Sequence, residues 1–204
     1  MPRRTPPNRR EAILNAARIE FAARGYAGTR MEDVAAGVGI SKAALYLQFA
    51  DKAALFQELV DWMLETRLPA ALPPALEAAT PAMQLEALVR LGAAQLAEPE
   101  IAFLPRLVIG EGGNFPEMAR TYHDRAVDRI LGLVAEIVAR GVADGSFRAV
   151  DPYLAARSVA GALLLGALWQ TVFEPVGAAP LDMQALAASH IDIILHGLST
   201  GERM

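Results

Sequence analysis

The sequence predicts an all-helical protein in two parts, and three observations lead there. Apolar residues recur at three- and four-residue intervals along the chain, and no segment shows the two-residue alternation of a half-buried strand. Prolines and capping residues divide the chain into nine segments of helical length. Residues 29–49 carry a helix-turn-helix pattern, and long apolar helices follow it. With 53% hydrophobic and 21% charged residues the chain has enough apolar surface to fold, which excludes a disordered protein. It has no cysteine and three histidines (His123, His190, His196), so disulfides and thiolate metal centres are excluded and neither a metal nor a cofactor is expected.

The first helix is expected over 9–24, with Ile13, Ala17 and Phe21 on its buried stripe and Gly25 as the residue past its end. Ahead of it, residues 1–7 read as an extended basic arm, and the first ten residues, MPRRTPPNRR, lack the apolar core of a signal peptide, so a cytoplasmic location is expected. Thr29 and Glu32 have the spacing of a capping box, which would start a second helix carrying Val34, Ala35 and Val38. Gly39 suits a positive φ in the turn, and Ser41 is a good N-cap for a third helix with Leu45 and Phe49 inward. That leaves Lys42, Tyr46 and Gln48 facing outward beside the small Ala43 and Ala44. A lysine and a tyrosine hydroxyl can bond phosphates, and a glutamine can read an adenine edge.

A fourth helix, capped by Asp51, runs to about Leu68, where Pro69 stops it. Lys52 in its first turn sits at a positive helix terminus, a placement that a nearby phosphate would explain. Residues 69–80 read as a Pro/Ala connector. Thr80-Pro81 opens the fifth helix, and Pro99 the sixth, with a kink expected at Pro105. The loop GEGGN at 110–114 lacks the lysine and serine of a phosphate-binding loop. The seventh helix spans about 115–142, the eighth about 152–173 and the ninth about 181–198. The apolar run in the eighth covers 12 residues, too short for a membrane span, and its Gly161, Ala162, Gly166 and Ala167 permit close helix approach.

Charge is distributed unevenly. Residues 1–52 hold nine Lys/Arg and five Asp/Glu, whereas residues 53–204 hold ten and eighteen, giving the overall −4. Both lysines of the chain, Lys42 and Lys52, lie in the basic part. A basic head on an acidic body is the asymmetry expected when only the head meets a polyanion.

Over about 9–60 the chain resembles the TetR family of bacterial transcriptional repressors. The resemblance rests on FAARGY, then T-R-M-E-D-V-A, then V-G-I-S-K-A-A-L-Y-L-Q-F, then D-K-A-A-L-F. The segment PEIAFLPRLVIGEGGNFPEM is similar to the ligand-binding halves of AcrR-like members. The resemblance implies a homodimer, a helix-turn-helix head over 1–52 that binds double-stranded palindromic operator DNA, and a body over 53–204 that binds a small effector and releases the DNA. It implies backbone contacts by Thr29, Arg30, Tyr46 and Lys52 and recognition-helix contacts by Ser41, Lys42 and Ala44. Ala43, Ala44 and Gln48 depart from the common family residues, and Gln48 stands out as the base reader. It further implies that helices about 152–173 and 181–198 build the dimer.

In the body, Phe103, Leu107, Phe115, Met118, Tyr122, His123, Trp169 and Phe173 are the candidate lining of a largely hydrophobic effector pocket. A repressor is the expected function, with an activator or dual regulator as the alternative. An enzyme is not expected: the sequence has neither a nucleophile motif nor a cofactor loop, and Tyr122, His123 and Glu111 form the one conceivable acid–base set.

Overall fold

A computed structural model describes residues 9–67 and 79–199. The basic arm, most of the Pro/Ala connector and the last five residues lie outside them. Among the described residues there are nine helices and no strand. They are α1 (Arg9–Gly28, broken at the non-helical Gly25 so that residues 26–28 form part of the turn to the next helix), α2 (Met31–Val38), α3 (Lys42–Tyr46), α4 (Lys52–Arg67), α5 (Pro81–Leu96), α6 (Pro99–Glu111), α7 (116–143), α8 (Pro152–Leu168) and α9 (Met183–Leu198).

The start signals act as their chemistry dictates. Asp51, Thr80, Asp151 and Asp182 each accept a backbone N–H of the turn they precede. The helices carry features that periodicity does not reveal. α7 passes through one π turn at His123–Val127, and α8 continues through another at Trp169–Phe173 into a 3-10 turn. α6 carries through Pro105 without interruption. The twelve-residue apolar run belongs to a helix of 25 residues, Pro152–Val176, long and apolar enough to cross a membrane by length and composition alone.

Burial divides into two clusters. The first joins Phe21, Val34, Leu45 and Phe49 of the head to Phe56 and Leu59 of α4 and to Phe103, Leu107 and Met118 of α6 and α7. The second joins α5, the C-terminal part of α7, α8 and α9 through residues such as Leu85, Ile137, Val159 and Ile191. The first core therefore extends past residue 52, because α1–α3 are too small to bury their own faces and lean on α4 and α6. At its centre Phe21 stacks on Tyr26 at 5.7 Å, and Phe56 meets both rings edge-on at 5.6 Å. Phe115 closes the group on Tyr26 at 5.0 Å. In the second cluster Gly166 does what its size suggested: a Cβ there would lie 2.6 Å from the Met183 sulfur and 2.8 Å from Leu186. Gly161 instead opens outward.

Phe56 is fully buried at the junction of head and body. Phe56→Ala is expected to cost about 3–5 kcal/mol of folding stability, read as a fall in the urea midpoint with an unchanged slope.

Candidate nucleic-acid interface and interior cavity

The turn between α2 and α3 is built as its residues require. Gly39 has φ 75°, and the N–H of Ile40 reaches back to the carbonyl of Ala35 at 3.0 Å. The Ser41 side chain accepts from Ala44 N at 3.1 Å. Leu45 and Phe49 are buried, and they hold α3 against the head with its other face in solvent. That face carries Ser41, Lys42, Ala43, Tyr46, Leu47 and Gln48, all exposed, with Ala44 half-buried at its edge. Leu47 is 87% exposed. The Lys42 ammonium lies 5.6 Å from the Tyr46 ring and pairs with Glu32 of α2. The pair lowers the Glu32 carboxyl and raises the Lys42 amine, so both stay charged. Arg30 is exposed at the N-terminus of α2.

Two expected grips are placed otherwise. Thr29 is buried, and its hydroxyl donates to Gly25 O at 2.7 Å. The capping box does not form: the residue that caps α2 is Arg30, without a side-chain bond, and Glu32 is held by Lys42. Lys52 is turned inward. Its ammonium donates to the carbonyls of Tyr26 at 2.5 Å and Thr29 at 3.1 Å and lies over the Tyr26 ring at 4.7 Å. Burial lowers its pKa. A helix terminus was a poor place for a lysine only on the view that nothing received it; the carbonyls of the α1–α2 turn do.

The same turn is held from its other side. Glu111, the last residue of α6, accepts from Tyr26 N at 2.9 Å and from Ala27 N at 2.8 Å. Gly25 has φ 73°, and a Cβ there would overlap the Glu111 carboxylate. Both oxygens of Glu111 are thus engaged by backbone amides, while His123 bonds Asp124 at 2.8 Å.

Between the two cores lies a cavity of about 410 Å³, walled by α4, α5, α6, α7 and α8. Its lining is chiefly apolar, with Val60, Leu104, Val108, Val134 and Leu163 as examples. Polar groups come from Gln95, Tyr122, His123, Arg67 and Arg129, and no carboxylate lines it among the described residues. Burial pushes the Tyr122 hydroxyl up to about 12, so it remains a neutral donor. Gln95 Oε1 is buried without a hydrogen-bond partner among the described residues.

Of the eight pocket candidates, Tyr122 and His123 line this space. Phe103, Leu107, Phe115 and Met118 belong to the first core and not to the cavity lining; on α6 residues 101, 104, 105 and 108 line the cavity, and Leu104 is shared with that core. Trp169 and Phe173 pack on each other at 5.4 Å, with the indole N–H on Ala179 O at 2.9 Å. Residues on α5, such as Val89 and Gln95, were not foreseen as lining; their helical spacing is that of any core helix.

Residues 13–59 match the family described as bacterial regulatory proteins, tetR family, and residues 83–197 match the C-terminal domain of AefR-like transcriptional repressors. The chain belongs to the TetR family. It is thus a DNA-binding transcriptional regulator rather than an enzyme. No curated protein matches this TetR-family chain in sequence. Among solved structures it is similar to the TetR family transcriptional regulator PfmR from Thermus thermophilus, at 30% identity and a TM-score of 0.68, over 93% of this chain and 99% of that one. FadR from Bacillus subtilis, in complex with stearoyl-CoA, shares the fold at 18% identity and a TM-score of 0.75 over 92% and 98% of the two chains. AibR, in complex with isovaleryl coenzyme A and operator DNA, does so at 22% identity and 0.69 over 91% and 97%.

Lys52 in this TetR-family head should behave as a structural cation. Lys52→Met is expected to lower the stability of the DNA-free protein by about 1–3 kcal/mol; an unchanged urea midpoint would point instead to a phosphate grip.

Proposed function

We propose that the chain is a homodimeric repressor that leaves a palindromic operator when an acyl thioester or a similar apolar, anionic compound fills the cavity. The observation that carries the DNA half is the exposed face of α3, where Lys42, Tyr46 and Gln48 stand clear of the core while Leu45 and Phe49 fix the helix from behind. Lys42, Tyr46 and Arg30 grip phosphates, Ser41 and the small Ala44 bring the helix close to the groove, and Gln48 reads a base edge. The Thr29 side chain takes no part from its buried position, and Lys52 acts on the turn behind the face. DNA binding substitutes a phosphate for Glu32 as the partner of Lys42, a local exchange of one anion for another.

The effector half rests on the lining of the cavity. Apolar walls suit an acyl chain, and a polar set with two arginines and no carboxylate disfavours a cation. FadR and AibR, structures of the same fold, hold acyl-CoA molecules. Dimerisation is supported by the apolar residues that α8 and α9 leave in solvent, among them Leu154 at 65%, Leu165 at 60% and Ile193 at 64% exposure. Two such faces, one from each chain, would form a four-helix bundle with two-fold symmetry, and that symmetry is what makes the operator palindromic. The setting is the cytoplasm, where operator DNA and acyl thioesters meet.

Duplexes recovered from a random library by the full chain supply the operator for testing. Lys42→Ala and Tyr46→Phe are expected to weaken its binding with the dimer intact, and Lys42→Ala should lower the salt slope by about one; wild-type gel shifts for both would place the interface elsewhere. Gln48→Ala should change which sequences are recovered rather than weaken all alike. Palmitoyl-CoA should raise the melting temperature and release the duplex; melting and gel shifts unmoved by it would remove the acyl thioester from this reading.

A further inference from the structure

We propose that Glu111 is the positioning residue through which the state of the cavity reaches the helix-turn-helix. This inference rests on the reading of the chain as a DNA-binding regulator with an effector cavity, and adds the part that connects the two.

Helix α6 has two faces with different duties. One, through Leu104, Pro105 and Val108, is a wall of the cavity, and Leu104 belongs to the first core as well. The other, through Phe103 and Leu107, lies in that core away from the cavity. The helix also runs beside α1 and is fastened to it at three levels. Near its start Glu100 pairs with Arg18 at 3.3 Å, in its middle Arg106 donates to Ala22 O at 3.2 Å, and at its end Glu111 takes the amides of Tyr26 and Ala27.

The third fastening differs from the others in how much backbone it holds. Arg18 and Glu100 meet side chain to side chain and Arg106 reaches a single carbonyl, so a small shift of α6 is absorbed by bending them. Glu111 grips backbone on both of its oxygens, so its carboxylate cannot move without moving residues 26 and 27 or losing both bonds. Those residues lead into the turn that starts α2, and Lys52 locks the carbonyls of Tyr26 and Thr29 to the first turn of α4. The turn at 26–29 is thus clamped between α6 and α4, both of which are cavity walls. Gly25 completes the arrangement, since any Cβ would occupy the place of the carboxylate. A ligand that spreads α6 from α4 pulls the turn from one side only, and the head tilts with it. Close packing carries such a displacement without damping it.

The absence of cysteine allows a test that does not depend on the natural effector. Gln95→Cys places one thiol on the part of the cavity wall that α5 supplies, where a methyl or an octyl methanethiosulfonate leaves a short or a long alkyl chain covalently in the cavity. Affinity is measured for a duplex recovered from a random library by the unmodified full chain. With Glu111 present, the octyl label is expected to weaken DNA binding at least tenfold relative to the methyl label, within the usual range of allosteric coupling. With Glu111→Gln the same comparison should fall to within about twofold, whatever the absolute affinity. A merely structural role would lower stability or affinity without changing that ratio. Should the Gln variant fail to melt cooperatively, Glu111→Asp, whose shorter carboxylate cannot reach both amides, is judged by the same ratio. An equal ratio in both backgrounds, or no effect of the octyl chain with Glu111 in place, overturns the inference and leaves the DNA-binding reading standing. A wild-type chain that recovers no duplex overturns that reading, and this inference with it.

Discussion

The stretch of backbone that joins α1 to α2 has its polar groups taken by two side chains of opposite charge. Glu111 receives the amides of Tyr26 and Ala27, and Lys52 gives to the carbonyls of Tyr26 and Thr29. A turn of this kind, partly buried, needs partners for groups that neither helix can satisfy. Charged partners make stronger bonds than neutral ones, and they hold the peptide planes in place from both sides. Around this point sit the aromatic rings of Phe21, Tyr26, Phe56 and Phe115, so the polar clamp and the apolar core fix the same few residues. The orientation of α2, and of α3 beyond it, follows from how this turn is held.

The cavity has its meaning from the same construction. It lies between two cores, and α4 and α6 contribute to its wall and to the core of the head alike. A cavity within a single core could be filled by local adjustment of side chains. One between two cores is filled by changing how they meet, which is why the helices shared between them matter more than the residues in direct contact with a ligand.

The local features were legible in the sequence. Gly39, Ser41, Asp51, Thr80 and Asp151 act within a few residues of themselves, so their spacing contained the answer, and the charge split between head and body was open to counting. The features that failed or went unseen involve partners distant in the chain. Thr29 and Glu32 had the spacing of a capping box, but Thr29 was drawn inward to Gly25 and Glu32 outward to Lys42, and no local rule weighs such competitors. Lys52 looked misplaced because its acceptors lie 26 and 23 residues away. Glu111 is 85 and 84 residues from the amides it binds. Most of the pocket candidates lie away from the cavity for a further reason. Phe103 and Leu104 are neighbours in sequence and both belong to the first core, yet Leu104 also lines the cavity and Phe103 does not, and periodicity assigns a stripe without saying what lies opposite it.

Gly25 shows how such a clamp shapes the freedom of the chain to vary. Its φ of 73° with ψ of 178° is a backbone conformation open essentially to glycine alone. The carboxylate of Glu111 adds a second restriction by filling the space where any side chain would begin. Loss of Glu111 would restore the space but leave two amides without an acceptor and Lys52 without the nearby anion that favours its charge. Positions 25, 52 and 111 are therefore coupled physically: a change at one alters what the other two must accommodate. Three residues scattered over nearly half the chain serve a single turn.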